Sequence, residues 1–351
     1  MTGRQAMARQ LSLDAQSPTK TFVLEAHTEE PADYLRSLFG ESCIEETEDA
    51  FLYIAHMPEG DFWVDQLNQR FWSFHTDMPA AVAGKYLHER VESNRDLDWI
   101  WLPSEHLRHI WPGAAARQVR TTFEGERMLG NTTPADSLRV RLSGRGAEAL
   151  LDFISQNSDY RAAVSFESIS VDLSDPDFGT IHEAVNYKGR FAASGNSFDY
   201  HLQFVATVVD RYSRLVRRCE EYRISTTDLT GDDSGGYTLS GSPITLLFSR
   251  PIPDMNRFLG ELFSSRHPFR LWGIPEVKRD IAYVDAVDLH VGDALRFDIG
   301  PEWMRIYLPK DACGNVITRL VTNLQHRFDS ALKFADPDLQ AAFSLREFSV
   351  A

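Results

Sequence analysis

The sequence predicts an α+β protein made of tandem β-α-β-β-α-type units, with antiparallel sheets and helices packed on one face. Three observations carry this reading. Runs that alternate apolar and polar residues, such as "SLRVRLSG", are followed by segments whose apolar residues recur at helical spacing, such as "AEALLDFIS". The order strand, helix, strand, strand, helix occurs in a block over residues 131–225 and again from 243 onward. These two blocks also keep step without a gap at one constant offset. Val171-Asp172-Leu173 then meets Val287-Asp288-Leu289, and Arg211-Tyr212 meets Arg327-Phe328.

Residues 1–19 read as a disordered lead-in without the apolar core of a secretory signal. A first unit over 20–95 opens with the strand "KTFVLEAH". The helix "PADYLRSLF" follows, with Pro31 early and Gly40 as its stop. "DAFLYIAHM" and "QRFWSFHT" read as strands, and "MPAAVAGKYLHERVESN" as a helix behind a cap at Thr76 or Asp77. Residues 96–130 form a connector outside any unit. The second unit, 131–225, ends in the long helix "HLQFVATVVDRYSRLVRRCEE". Its opening loop "SGNSFDYH" has one glycine and no lysine, so it reads as a turn, with Asp199 as helix cap, and not as a phosphate loop. Residues 226–242, rich in Gly, Ser, Thr and Asp, read as a linker or exposed hairpin. The third unit, 243–351, closes with the helix "DLQAAFSLREF".

The composition is that of an ordinary soluble globular protein, 43% hydrophobic and 25% charged. No stretch approaches the roughly 18 apolar residues of a membrane span. Three cysteines far apart exclude a disulfide framework and suggest a reducing cytoplasm. A net charge of −15 opposes a general affinity for nucleic acid, although a local basic patch stays open.

Surface chemistry points toward a partner. Trp99, Trp101, Arg108, Trp111, Arg117 and Arg120 crowd the connector, and aromatic and arginine side chains are enriched at interfaces. Arg211, Arg214, Arg217 and Arg218 fall away from the apolar stripe of the long helix, as a phosphate or nucleic-acid face would. Asp288 and His290 share a strand face and are weak metal ligands, read first as a polar face in water. Glu276 and Lys278 resemble half of a nuclease signature. His106 and His109 lie three residues apart without a third ligand. No catalytic constellation assembles and no cofactor is implied. The expectation is a non-catalytic cytoplasmic binding or assembly protein that docks a protein partner through residues 96–127. A nucleic-acid accessory subunit and a metal-dependent hydrolase are the alternatives.

Overall fold

The structure is a computed structural model that describes residues 2–11, 13, 18–130, 134–157, 160–228 and 237–345. Helix α1 (Gly3–Gln10) and strand β1 (Thr19–Ala26) come first, then α2 (Pro31–Phe39), β2 (Ile44–Glu46) and β3 (Leu52–Met57). Next are β4 (Gly60–Asp65), β5 (Phe71–Thr76), α3 (Ala80–Ser93), β6 (Leu97–Trp99), α4 (Ser104–Arg108) and β7 (Ala116–Glu124). The middle of the chain forms α5 (Glu126–Leu129), β8 (Ser137–Ser143), α6 (Ala147–Gln156), β9 (Phe166–Asp175) and β10 (Gly179–Asn186). After it come β11 (Arg190–Gly195), α7 (Phe198–Glu220), β12 (Ser225–Asp228), β13 (Tyr237–Ser240) and β14 (Ile244–Leu247). The last elements are α8 (Met255–Leu262), β15 (Leu271–Lys278), β16 (Ile281–Asp288), β17 (Ala294–Gly300) and β18 (Trp303–Tyr307), then α9 (Asn315–Arg327), β19 (Lys333–Phe334) and α10 (Pro337–Phe343).

Local chemistry explains the helix ends. Pro31 starts α2, and Gly40 stops it with a φ of 96°. Ser197, not Asp199, caps α7 by accepting from the Tyr200 N–H at 3.2 Å; Asp199 lies in the first turn, where its charge suits the helix dipole. Pro79 precedes α3, and the Thr76 hydroxyl instead accepts from the Met78 N–H. Residues 3–10, expected to be disordered, form a helix behind a capping box at Thr2, because Met7 and Leu11 find a pocket beside Leu52, Trp63 and Phe198. The end of the last predicted helix lies outside the described residues.

The antiparallel α+β architecture is as expected, but the strands pool into two larger sheets. One has 11 strands in the order β2-β3-β4-β5-β1-β11-β10-β9-β7-β8, with β6 also pairing β1. The other has six, in the order β15-β16-β17-β18-β14-β19. Strands β12 and β13 pair antiparallel, and the middle of the stretch expected to be a linker or exposed hairpin, 229–236, lies outside the described residues. The constant sequence offset carries β9, β10, β11 and α7 onto β16, β17, β18 and α9. The strand next to the last one differs, however: β14 lies beside β18, whereas β1 lies beside β11. The connector is therefore not outside the sheet. It supplies β6, and it supplies β7 as the bridge between β8 and β9.

Gly195 ends β11 with a φ of 146°, and a Cβ there would meet the Thr180 carbonyl oxygen at 2.3 Å. Close strand approach is thus its purpose. Every residue of β1 is buried. Phe22, Leu24 and Ala26 pack among Leu35, Phe39, Leu87 and Val91 of α2 and α3, while Val23 packs with Phe204, Val208 and Tyr212 of α7. Alternation therefore places Thr21, Val23 and Glu25 on the α7 face.

Where the two sheets meet, charge is buried in pairs. Arg319 of α9 has no exposed surface and binds Asp98 and Asp288; Arg270 lies 3.6 Å from Asp98 and donates to the Leu97 carbonyl at 2.8 Å. Removing one partner leaves the others uncompensated, so Arg319→Met should lower the unfolding free energy by about 3–5 kcal/mol. The triple variant Arg319→Met/Asp98→Asn/Asp288→Asn should recover part of that loss in urea titration. A single variant as stable as the parent would refute the network's role.

Burial pushes His75 and His106 down to about 3, and His326 to about 4. Each is neutral when folded near pH 5, whereas an unfolded histidine titrates near 6.5, so the unfolded chain binds more protons. Stability from these groups is present above about pH 6.5 and is lost as the pH falls toward 4, by up to ~1.4 kcal/mol per pH unit each. The difference in unfolding free energy between the parent and His75→Gln should therefore shrink from pH 7 to pH 5. A pH-independent difference would count against a neutral buried His75.

Candidate metal centre

Glu25 is a lone acid in an apolar strand, with His27 two residues on, and its carboxylate has no exposed surface. Three other segments converge on it. The turn after β16 brings His290, whose Nε2 lies 3.1 Å from Glu25 Oε2. The loop before α9 brings Cys313, whose Sγ lies 3.5 and 3.4 Å from the two carboxylate oxygens. The loop before β5 brings Arg70, whose Nε donates to Glu25 Oε1 at 2.7 Å. His27 Nε2 lies 3.4 Å from Oε1 yet makes no hydrogen bond. The ligand atoms of Glu25, His27, His290 and Cys313 all lie within 4.8 Å of one another.

The surroundings hold these groups in place. His290 Nδ1 lies 2.7 Å from the Arg95 carbonyl oxygen, which only accepts, so Nδ1 carries the proton. In the neutral ring, Nε2 then directs a lone pair at the Glu25 carboxylate. Two facing lone pairs need a cation between them, either a proton or a metal ion. The next residue, Val291, has a φ of 68°, a strained backbone for a β-branched residue, anchored by its N–H on the same Arg95 carbonyl. The Cys313 N–H donates to Asp293 at 2.9 Å and the Gly314 N–H to Glu220 at 3.0 Å. A Cβ on Gly314 would meet the Val216 carbonyl oxygen at 2.3 Å, so glycine lets this loop close on α7.

Electrostatics follow from burial. Desolvation alone would raise the Glu25 pKa, but His27, His290 and Arg70 hold it well below the usual carboxylate range. Desolvation opposes charge on His290, yet Glu25, Asp98 and Asp288 raise its pKa. Burial and the Glu25 charge keep Cys313 a thiol. The surroundings thus favour negative charge on Glu25 and a proton or other cation at His290 Nε2.

A second polar chain lies on the same face of β1. Glu183 accepts from His201 Nδ1 at 2.6 Å, so His201 Nε2 accepts from the Thr21 hydroxyl at 2.7 Å; that hydroxyl in turn accepts from His75 Nδ1 at 2.8 Å. The acid–histidine–hydroxyl order resembles a catalytic relay. All four side chains are buried, and the chain joins polar groups of the core while Glu183 Oε2 stays without a hydrogen-bond partner.

The residues singled out from the sequence scatter. Trp99 and Trp101 are each 1% exposed and belong to the core, where no partner reaches them. Trp111 is half-buried and stacks on Phe204; Arg108 pairs with Asp152 at 2.7 Å. Arg117 and Arg120 are on the surface beside Asp172 and Glu167. Arg211, expected to face outward, is 8% exposed and donates to the carbonyls of His106 and His109, closing the end of α4. Arg214 and Arg217 are exposed, and Arg214 pairs with Asp210; Arg218 is half-buried beside Glu221 and Asp338. Glu276 and Lys278 pair with each other in the open. His106 Nε2 lies 3.0 Å from the Ala342 carbonyl oxygen, whereas His109 is exposed.

For Asp288 and His290 the expected orientation is reversed. Both are fully buried, while Val287 and Leu289 are half-buried. Arg319 claims Asp288, and only His290 joins the centre. Glu25, His27, Arg70 and Cys313 escaped sequence reasoning, and the available signal was an acid directly after the apolar run Phe22-Val23-Leu24.

Comparison with known proteins gives a family but no activity. The chain is 26% identical over 362 aligned positions to "Uncharacterized protein MJECL33" of Methanocaldococcus jannaschii, covering 90% of this chain and 85% of that protein. The family described as MJECL33-like protein matches residues 6–343, and the chain belongs to it.

Proposed function

We propose that this protein is a non-catalytic metal-binding protein in which Glu25, His27, His290 and Cys313 hold one divalent transition-metal ion, zinc foremost. The observation that carries the reading is four donors of the right chemistry within 4.8 Å, one of them aimed by the Arg95 carbonyl. Zinc takes nitrogen, sulfur and carboxylate oxygen tetrahedrally at about 2.0–2.3 Å, so a small contraction of the cluster would complete the shell. A thiolate and a carboxylate would balance the double charge of the ion, and its binding would displace the Cys313 proton and compete with a proton for His290 Nε2.

Four protein ligands leave no open position for water or substrate, which favours a structural role over the hydrolase alternative. The ligands come from β1 and its following residues on one sheet, and from the turns flanking the other, so the ion would fasten the two sheets together. His27 and Arg70, with side chains 29% and 25% exposed, form the rim through which an ion would enter. A reducing cytoplasm, expected from the cysteine usage, would keep the thiol available. Among the described residues no helix is long and apolar enough to cross a membrane. The nucleic-acid alternative loses its inner arginine, Arg211, to the core.

Elemental analysis of purified protein should find about one zinc per chain, falling to near zero in His290→Gln and Cys313→Ser. Chelation should lower the melting temperature of the parent and leave that of the two variants unchanged. If added zinc neither binds nor raises the melting temperature of metal-stripped protein, the proposal fails.

A further inference from the structure

A second site lies at the far end of the long sheet, apart from the metal centre. Strand β8 is the terminal strand, and among the described residues no strand pairs its outer edge. Its side chains alternate. Leu138, Val140 and Leu142 are half-buried on one face, while Arg139 and Arg141 are exposed on the other. On the apolar side a groove of about 580 Å³ opens between β8 and α6, lined by Leu138, Val140, Phe153, Ile154 and Tyr160. Phe153 is 72% and Leu150 47% exposed. On the polar side Arg141 lies directly opposite Arg120 of β7, a like-charge pair that works against strand pairing. Among the described residues Arg141 meets no carboxylate; its guanidinium donates to the Gln118 side chain at 3.3 Å.

Charges on an edge strand ordinarily guard against unwanted pairing. Guarding does not explain an apolar groove beside the guard, nor a second arginine opposite the first. We infer that β8 is a docking edge for an extended segment of another protein in which apolar and acidic residues alternate. Such a segment would add as a further strand, using backbone hydrogen bonds for affinity and alternate side chains for specificity. Its apolar residues would enter the groove at Phe153, and its carboxylates would meet Arg141 and compete with Glu124 and Glu167 for Arg139 and Arg120, which pair with them at 3.4 and 3.7 Å. The net charge of −15 repels an acidic ligand from the rest of the surface, which favours this edge. A second copy of the chain is a poor occupant, since pairing β8 with itself would bring arginine against arginine. Nucleic acid would satisfy the arginines but leave the groove empty.

The test uses the full chain and a fluorescent octapeptide of alternating valine and glutamate, read by anisotropy. The controls are a block isomer with all valines first, a valine–lysine peptide and an oligothymidylate. The alternating acidic peptide should bind best. Arg139→Glu/Arg141→Glu should weaken it roughly tenfold, as two exposed ion pairs warrant, and should improve binding of the lysine peptide. Phe153→Ser should weaken both peptides. No binding, equal binding of the block isomer, or tighter binding of the oligothymidylate would overturn the proposal. So would self-association of the chain that disappears in the double-arginine variant.

Discussion

The burial of one negative charge organises the seam of this molecule. Glu25 is at the centre of an 11-stranded sheet with no exposed surface, and an isolated carboxylate in such a place is untenable. Arg70 reaches it from one loop, His290 from a turn of the other sheet, and Cys313 from the start of a helix. The three contacts come from positions far apart in sequence, so satisfying the carboxylate also aligns the two sheets. The adjacent set of Asp98, Asp288, Arg270 and Arg319 solves the same problem with two acids and two guanidiniums. Tyr212 of α7 joins the assembly by accepting from the Trp101 N–H at 3.0 Å and bonding Thr318 of α9 at 2.7 Å.

An ion at Glu25 would extend this logic. A divalent metal would compensate the Glu25 charge together with Arg70 and would also satisfy the orphaned Nε2 of His27. The polar chain through Thr21 shows what the same face of β1 looks like when hydrogen bonds alone suffice. There each donor finds an acceptor in sequence and no facing pair of lone pairs remains.

Local pattern predicted much of the fold. The alternation in "SLRVRLSG" corresponds to β8, the apolar stripe after Ser197 to α7, and Gly40 to the end of α2. Three kinds of feature were not legible. Strand β2 has three residues, and β4 has the unbroken apolar run Phe62-Trp63-Val64 between two aspartates, so neither carries much period of its own. The pairing of β1 with β11 joins segments separated by roughly half of the chain, and periodicity says nothing about such partners. Periodicity also says which residues share a face without saying whether that face meets water. Asp288 and His290 share theirs as expected, but it points inward because Arg319 and Glu25 await it there. Trp99 and Trp101 failed in the opposite sense, since aromatic crowding marks a core as readily as an interface.

The place of β1 between β5 and β11 bears on how the chain is made. During synthesis the first five strands can meet as soon as they emerge and β6 can cover Leu24–Ala26 soon after, but the Thr19–Phe22 edge of β1 stays bare until residue 190 and beyond leave the ribosome. For that interval the nascent chain presents an unpaired strand edge, the kind of surface on which chaperones act and aggregates grow. A cut near residue 95 would make that transient hazard permanent, so the amino-terminal third is not a separable piece of this protein.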